Sequence, residues 1–129
     1  MIKFVVPVFL LQWMGALFPG QAEPWVAPDT ASRQVNPQKV TEKSITQGKK
    51  IYMFFCQSCH GINGEGNGAA SVALKKKPAN FHDSILQNQA DGALHWKISE
   101  GRGDMASYKN SLSAEQRWNL VNYIRSFKN

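Results

Sequence analysis

Two cysteines and a histidine stand together in the run Cys56-Gln57-Ser58-Cys59-His60. Thiols one helical turn apart can add across the two vinyl groups of one porphyrin. The residue after the second thiol then lies under the metal, where an imidazole can bind iron. This is the spacing of c-type haem attachment. One haem c, covalent through Cys56 and Cys59, is therefore the expected cofactor, with His60 as the proximal iron ligand. Other uses of two cysteines fit less well. A disulfide is the default in an exported protein, but it gives His60 no role. A redox CxxC of the thioredoxin kind belongs to a βαβ pattern, and no alternating strand-like run occurs here. A zinc site needs about four ligands, and His82 and His95 have no zinc-like spacing.

The second axial ligand must come from elsewhere in the chain. Met105 is the expected one, because it sits in the polar, glycine-containing loop Gly101-Arg102-Gly103-Asp104-Met105, where an apolar filler has nothing to fill. Thioether ligation raises the reduction potential relative to bis-histidine ligation. His82 and His95 are the competing ligands, and Met53 reads as core filler. The carboxylates Glu65, Asp83, Asp91, Glu100 and Asp104 are scattered and read as surface groups, so no separate catalytic centre is expected.

These residues need elements to position them. The chain begins with Lys3, an apolar stretch from Phe4 to Phe18, and small residues at Gly20 and Ala22. That order reads as a signal peptide over residues 1–22, implying an exported protein. The alternative is an uncleaved N-terminal membrane anchor. Residues 23–43 read as an extended lead-in, since Pro24, Pro28 and Pro37 oppose helix. A helix is expected from Ser44, with Ser44 and Gln47 as a capping box and Ile45, Gly48, Ile51, Tyr52 and Phe55 at helical spacing. Gly48 costs such a helix about 1 kcal/mol relative to alanine, so close approach of another helix is expected there. Residues 61–70 form a glycine-rich loop without a phosphate-binding pattern. A short helix is expected over 91–99, capped by Asp91 and ended by Gly101. A last helix starts at the capping box Ser113 to Gln116 and presents Trp118, Leu120, Val121, Tyr123, Ile124 and Phe127.

The formal net charge of +6 raises nucleic acid as a partner. Export and the lack of aromatics around the only basic run, Lys75-Lys76-Lys77, argue against it. That run reads as a solvated loop or as a docking patch for an acidic redox protein. The polar lead-in and glycine-rich middle leave little core, so the haem is expected to supply it and the apo-protein to be largely unfolded.

With Cys56 to His60, Gly48, Tyr52, Leu120, Tyr123 and Met105 in place, the chain resembles a class I cytochrome c of the small bacterial monohaem type over roughly residues 44–127. The resemblance implies an all-α cytochrome c-like fold, with three to five short helices around one haem and a domain spanning 44–129. It implies that Gly48 and Tyr52 of the first helix pack against Leu120 and Tyr123 of the last. It also implies a proximal histidine that bonds a backbone carbonyl of a proline. Two positions depart from the family pattern: Ala106 follows Met105, and Ala69 follows Gly68, where prolines are usual. The function implied is one-electron transfer between redox partner proteins, such as a membrane oxidoreductase and an oxidase or dehydrogenase. The alternatives are a haem domain that binds or senses small ligands, and a cytochrome c subunit of a larger complex.

Overall fold

The helix that leads into the attachment motif begins one turn earlier than its pattern suggests. In the computed structural model, which describes residues 23–128, Thr41 is the N-cap of α2 (Glu42–Phe55). The Thr41 hydroxyl accepts from the Ser44 amide, and the Ser44 hydroxyl accepts from the Thr41 amide. Ser44 is thus the third residue of the helix rather than its cap. The physical reason lies across the fold: Ser44 is buried, and Asn122 Nδ2 donates to its hydroxyl at 3.1 Å. A cap must sit at the solvent-facing end, and Thr41 does.

The remaining elements follow in short pieces. They are α1 (Asp29–Ser32), α3 (Gln57–His60), a 3-10 turn (Ala69–Ala73), α4 (Ser84–Gln87), α5 (Asp91–Glu100) and α6 (Ala114–Arg125). The fold is all-α, with three helices longer than two turns, and no strand occurs among the described residues. The segment 1–22, expected to be a signal peptide or anchor, lies outside the described residues. No helix among the described residues is long and apolar enough to cross a membrane.

The core forms where α2 meets α6. Tyr52, Leu120 and Val121 are fully buried, joined by Phe81, Leu94, Ile98, Leu112, Trp118, Tyr123 and Ile124. Gly48 lies directly under the backbone of Asn119, and a Cβ there would overlap the Asn119 carbonyl oxygen and meet Tyr123 Cβ at 2.9 Å. The rings of Tyr52 and Tyr123 meet edge to face at 5.1 Å. The glycine that weakens α2 as an isolated helix is what lets α6 reach it. The capping box of α6 forms as expected, with reciprocal bonds between Ser113 and Gln116.

The lead-in departs from expectation. Residues 29–32 form the single turn α1, packed on α5, and Ala27 and Ala31 are buried. Pro28 caps this turn rather than interrupting it, since a first turn needs no amide donor at that point. Further along, Asn36 and the carbonyls of Gln38 and Lys39 bond the amide of buried Asn122 on α6. The lead-in is therefore tied to the domain along its length. Asp91 is also not a cap: Ala90 holds that position, and the Asp91 carboxylate pairs with Arg125 Nε at 2.8 Å. Gly101 ends α5 as expected, at φ +66°.

Candidate haem site

Cys56 closes α2, its amide bonding the Tyr52 carbonyl, and α3 carries Cys59 and His60 in the next turn. Two tyrosine hydroxyls bracket this turn. Tyr108 donates to the carbonyl of Phe55, just before Cys56, at 3.1 Å. Tyr52 donates to the carbonyl of Gly61, just after His60, at 2.6 Å. The motif is held at both ends by bonds from outside it, one of them from the loop that carries Met105. Burial pushes the Tyr52 phenol well above its ordinary range, so it stays a donor.

The thiols are free rather than joined in a disulfide. Burial, then the neighbouring Cys59, pushes the Cys56 thiol up to about 12. A redox dithiol needs a lowered thiol pKa, so this environment opposes a thioredoxin-like use of the pair. No cluster of three or more histidine, cysteine or acidic side chains that could hold a metal occurs among the described residues, which opposes a zinc site.

The imidazole of His60 is set by one bond. Its Nδ1 lies 3.2 Å from the carbonyl oxygen of Ala79. A carbonyl only accepts, so Nδ1 carries the proton and Nε2 presents its lone pair. Burial lowers the pKa of His60, with the Ala79 bond opposing, and keeps the ring neutral. The ring also stacks on Phe81, with centroids 4.7 Å apart. The acceptor corrects the comparison drawn from the glycine-rich loop. The carbonyl comes from Ala79, immediately after Pro78, so Ala69 is not a departure at the bond that orients His60. The intervening loop is pinned by the Phe81 amide, which donates to the Gly64 carbonyl at 2.7 Å.

Met105 sits in a tight hairpin closed by two backbone bonds with Arg102, at 2.9 and 3.0 Å. It is half-buried and packs on the same core cluster as Cys56, a cluster that includes Phe81. The hairpin turns away from α5 at Gly101, where a Cβ would strike the backbone of Met105 and Ala106. Several bonds hold the hairpin from outside. The Lys75 amide donates to Asp104, Ser107 Oγ donates to the Ser99 carbonyl at 2.6 Å, and Arg102 Nη2 donates to the Glu23 carbonyl at 2.6 Å. Downstream, Nη1 of buried Arg117 donates to the carbonyls of Tyr108, Lys109 and Leu112.

The competing histidines are engaged elsewhere. His82 Nε2 bonds the Asn63 carbonyl at 2.8 Å. His95 lies flat on Trp118, with centroids 3.8 Å apart. Met53 packs against the core, as a filler should. The donor set therefore fits a haem c: two free thiols one turn apart, an imidazole with Nε2 free, and a thioether on a braced loop. Arg102, Tyr108 and Arg117 have no signature in the sequence. Pro78 was the one available signal for Ala79.

A family model for cytochrome c matches residues 45–128. No curated protein matches the chain. Among solved structures, the chain is similar to one in the Kuenenia stuttgartiensis reducing HAO-like protein complex Kustc0457/Kustc0458. That likeness has 28% identity and a TM-score of 0.66, and it covers 72% of this chain and 47% of the other. This chain thus spans about half the length of that relative. It is also similar to the KustC0563 c-type cytochrome, at 30% identity and a TM-score of 0.55, covering 64% of this chain and 98% of the other. With the family match running from the first turn of α2 past the end of α6, the chain belongs to the cytochrome c family, whose members carry covalent haem c and transfer electrons.

Proposed function

We propose that this protein is an exported one-electron carrier with a single haem c, bound through Cys56 and Cys59 and ligated by His60 and Met105. The observation that carries the reading is the Nδ1–carbonyl bond from His60 to Ala79, which leaves Nε2 as a neutral donor directly after the second thiol. When bound, haem c supplies a ferric/ferrous couple whose potential depends on its axial ligands and burial. The chain does the rest. Tyr52 and Tyr108 hold the attachment turn, Ala79 holds the imidazole, and the braced hairpin holds the thioether. With both axial positions filled by side chains, no position is left for substrate, and electron transfer is the chemistry that remains.

The test is the holoprotein itself. Alkaline pyridine should give the spectrum of a haem with both vinyls saturated, at one haem per chain, and the haem should stay with the polypeptide after acid–acetone extraction. Extractable haem would contradict the attachment.

A second reading is that the chain acts as the cytochrome subunit of a larger redox complex. The likeness to a chain of the HAO-like complex, about twice as long as the shared part, favours it. Gel filtration of a native extract separates the two. A free carrier elutes at the size of one chain, and a subunit elutes with its complex. In either case the exposed Lys75-Lys76-Lys77 run suits an acidic redox partner.

A further inference from the structure

The lead-in ends its path beside the loop that carries Met105. The turn α1, with Ala31 buried beside Gly92, seats it on α5, Ala27 is buried just before that turn, and upstream of both Trp25 lies under the Lys97 ammonium at 5.4 Å. Beyond Trp25, the Glu23 carbonyl accepts from Arg102 Nη2 at 2.6 Å. Arg102 is the residue whose amide and carbonyl close the hairpin on Met105. One residue therefore holds Met105 with its backbone and the lead-in with its side chain. Both glycines flanking it, Gly101 and Gly103, have positive φ, the backbone conformation this turn requires. On the other side the Lys75 amide bonds Asp104, and downstream Ser107 Oγ bonds the Ser99 carbonyl, so Arg102 is the one hairpin residue among these three whose bond reaches the lead-in.

We propose that residues 23–26 act as a strap that holds the distal hairpin, with Arg102 as the positioning residue that couples the strap to Met105. The inference rests on the assignment of Met105 as the second axial ligand. Its consequence is that the N-terminal strap governs how readily Met105 gives way to an external ligand. A strap held in place keeps the carrier closed. A strap displaced, by a docking partner or by substitution, opens the iron to small ligands without loss of the fold.

The test is a double-mutant cycle on the ferric holoprotein, with wild type, Arg102→Ala, Trp25→Gly and the double variant each titrated with imidazole. Trp25→Gly changes no charge, so it separates the strap from the electrostatic effect of Arg102. Each single variant should bind imidazole on the order of fivefold more tightly than wild type, the lower end of ordinary coupling between linked sites. The double variant should bind no more than about twofold more tightly than either single, because both remove one tether. Unchanged affinities in the single variants would overturn the strap, as would effects that multiply in the double. A wild-type ferric spectrum without a methionine–sulfur band would overturn the Met105 assignment and this inference with it. A band present together with unchanged imidazole affinities would overturn this inference alone.

Discussion

Gly48 on α2 lies against the carbonyl of Asn119 on α6, so close that no Cβ could stand between them. This contact sets where the two longest helices meet, and with it the position of Cys56 two turns further along α2. Gly48→Ala should raise the helix propensity of α2 yet destabilise the holoprotein by about 2 kcal/mol, because overpacking outweighs propensity at a closed contact. A lower denaturant midpoint at unchanged slope would bear this out. A variant as stable as wild type would show that the contact can relax.

Tyr52 donates its buried hydroxyl to the carbonyl of Gly61, the residue after His60. Tyr52→Phe keeps the ring edge to face with Tyr123 and removes only that bond. It should cost about 1–2 kcal/mol, the penalty of leaving a buried carbonyl without its donor. The measurement is chemical unfolding followed through the haem absorbance, and an unchanged midpoint would deny the bond its bracing role.

The attachment turn and the α6 cap were legible in the sequence because each is set by residues within one turn of one another. So was Gly48, since a glycine inside an amphipathic helix demands a neighbour. The acceptor for His60 was not legible. It is a backbone carbonyl 19 residues away, brought in by the bond between Phe81 and Gly64, and any residue type could supply it. The start of α2 is likewise set from outside its own segment. Thr41 rather than Ser44 is the cap, because Asn122 from α6 holds the Ser44 hydroxyl in the core. Three prolines in residues 23–43 point locally to an extended lead-in, but a proline can also open a helical turn. Pro28 starts such a turn, and the packing of α1 on α5, with Ala31 buried, holds it.

Arg117 is buried and gives three bonds to the carbonyls of the loop after Met105. Arg117→Met fills a similar volume but leaves those carbonyls without their donor. Its expected cost is about 2–3 kcal/mol, as for hydrogen bonds to a charged donor. Thermal unfolding of the holoprotein measures it, and a cost below about 0.5 kcal/mol, the level of an ordinary surface change, would contradict the assignment.

His95 titrates in a place that favours its neutral form. Burial, then the nearby Arg117 cation, lower its pKa from 6.5, against a weaker opposing bond to the Ala114 backbone. Its Nε2 is buried and has no hydrogen-bond partner among the described residues. The unfolded chain then binds the proton more readily than the folded one. This contribution to stability is complete above pH 6.5 and is lost as the pH falls below it, through the lower folded-state pKa. His95→Phe preserves the stack on Trp118 and removes the titration. Stability measured across the mildly acidic range should fall less steeply in the variant, and equal slopes would contradict the prediction.

The central claim is that His60 and Met105 hold the iron from opposite sides. The most direct measurement is the optical spectrum of the ferric holoprotein at neutral pH, for wild type and Met105→Ala. The account predicts a methionine–sulfur band at the red end of the wild-type spectrum, its loss in the variant, and carbon monoxide binding by the ferrous form only in the variant. A wild-type protein that lacks the band and takes up carbon monoxide freely, or a variant whose spectrum is unchanged, would contradict it.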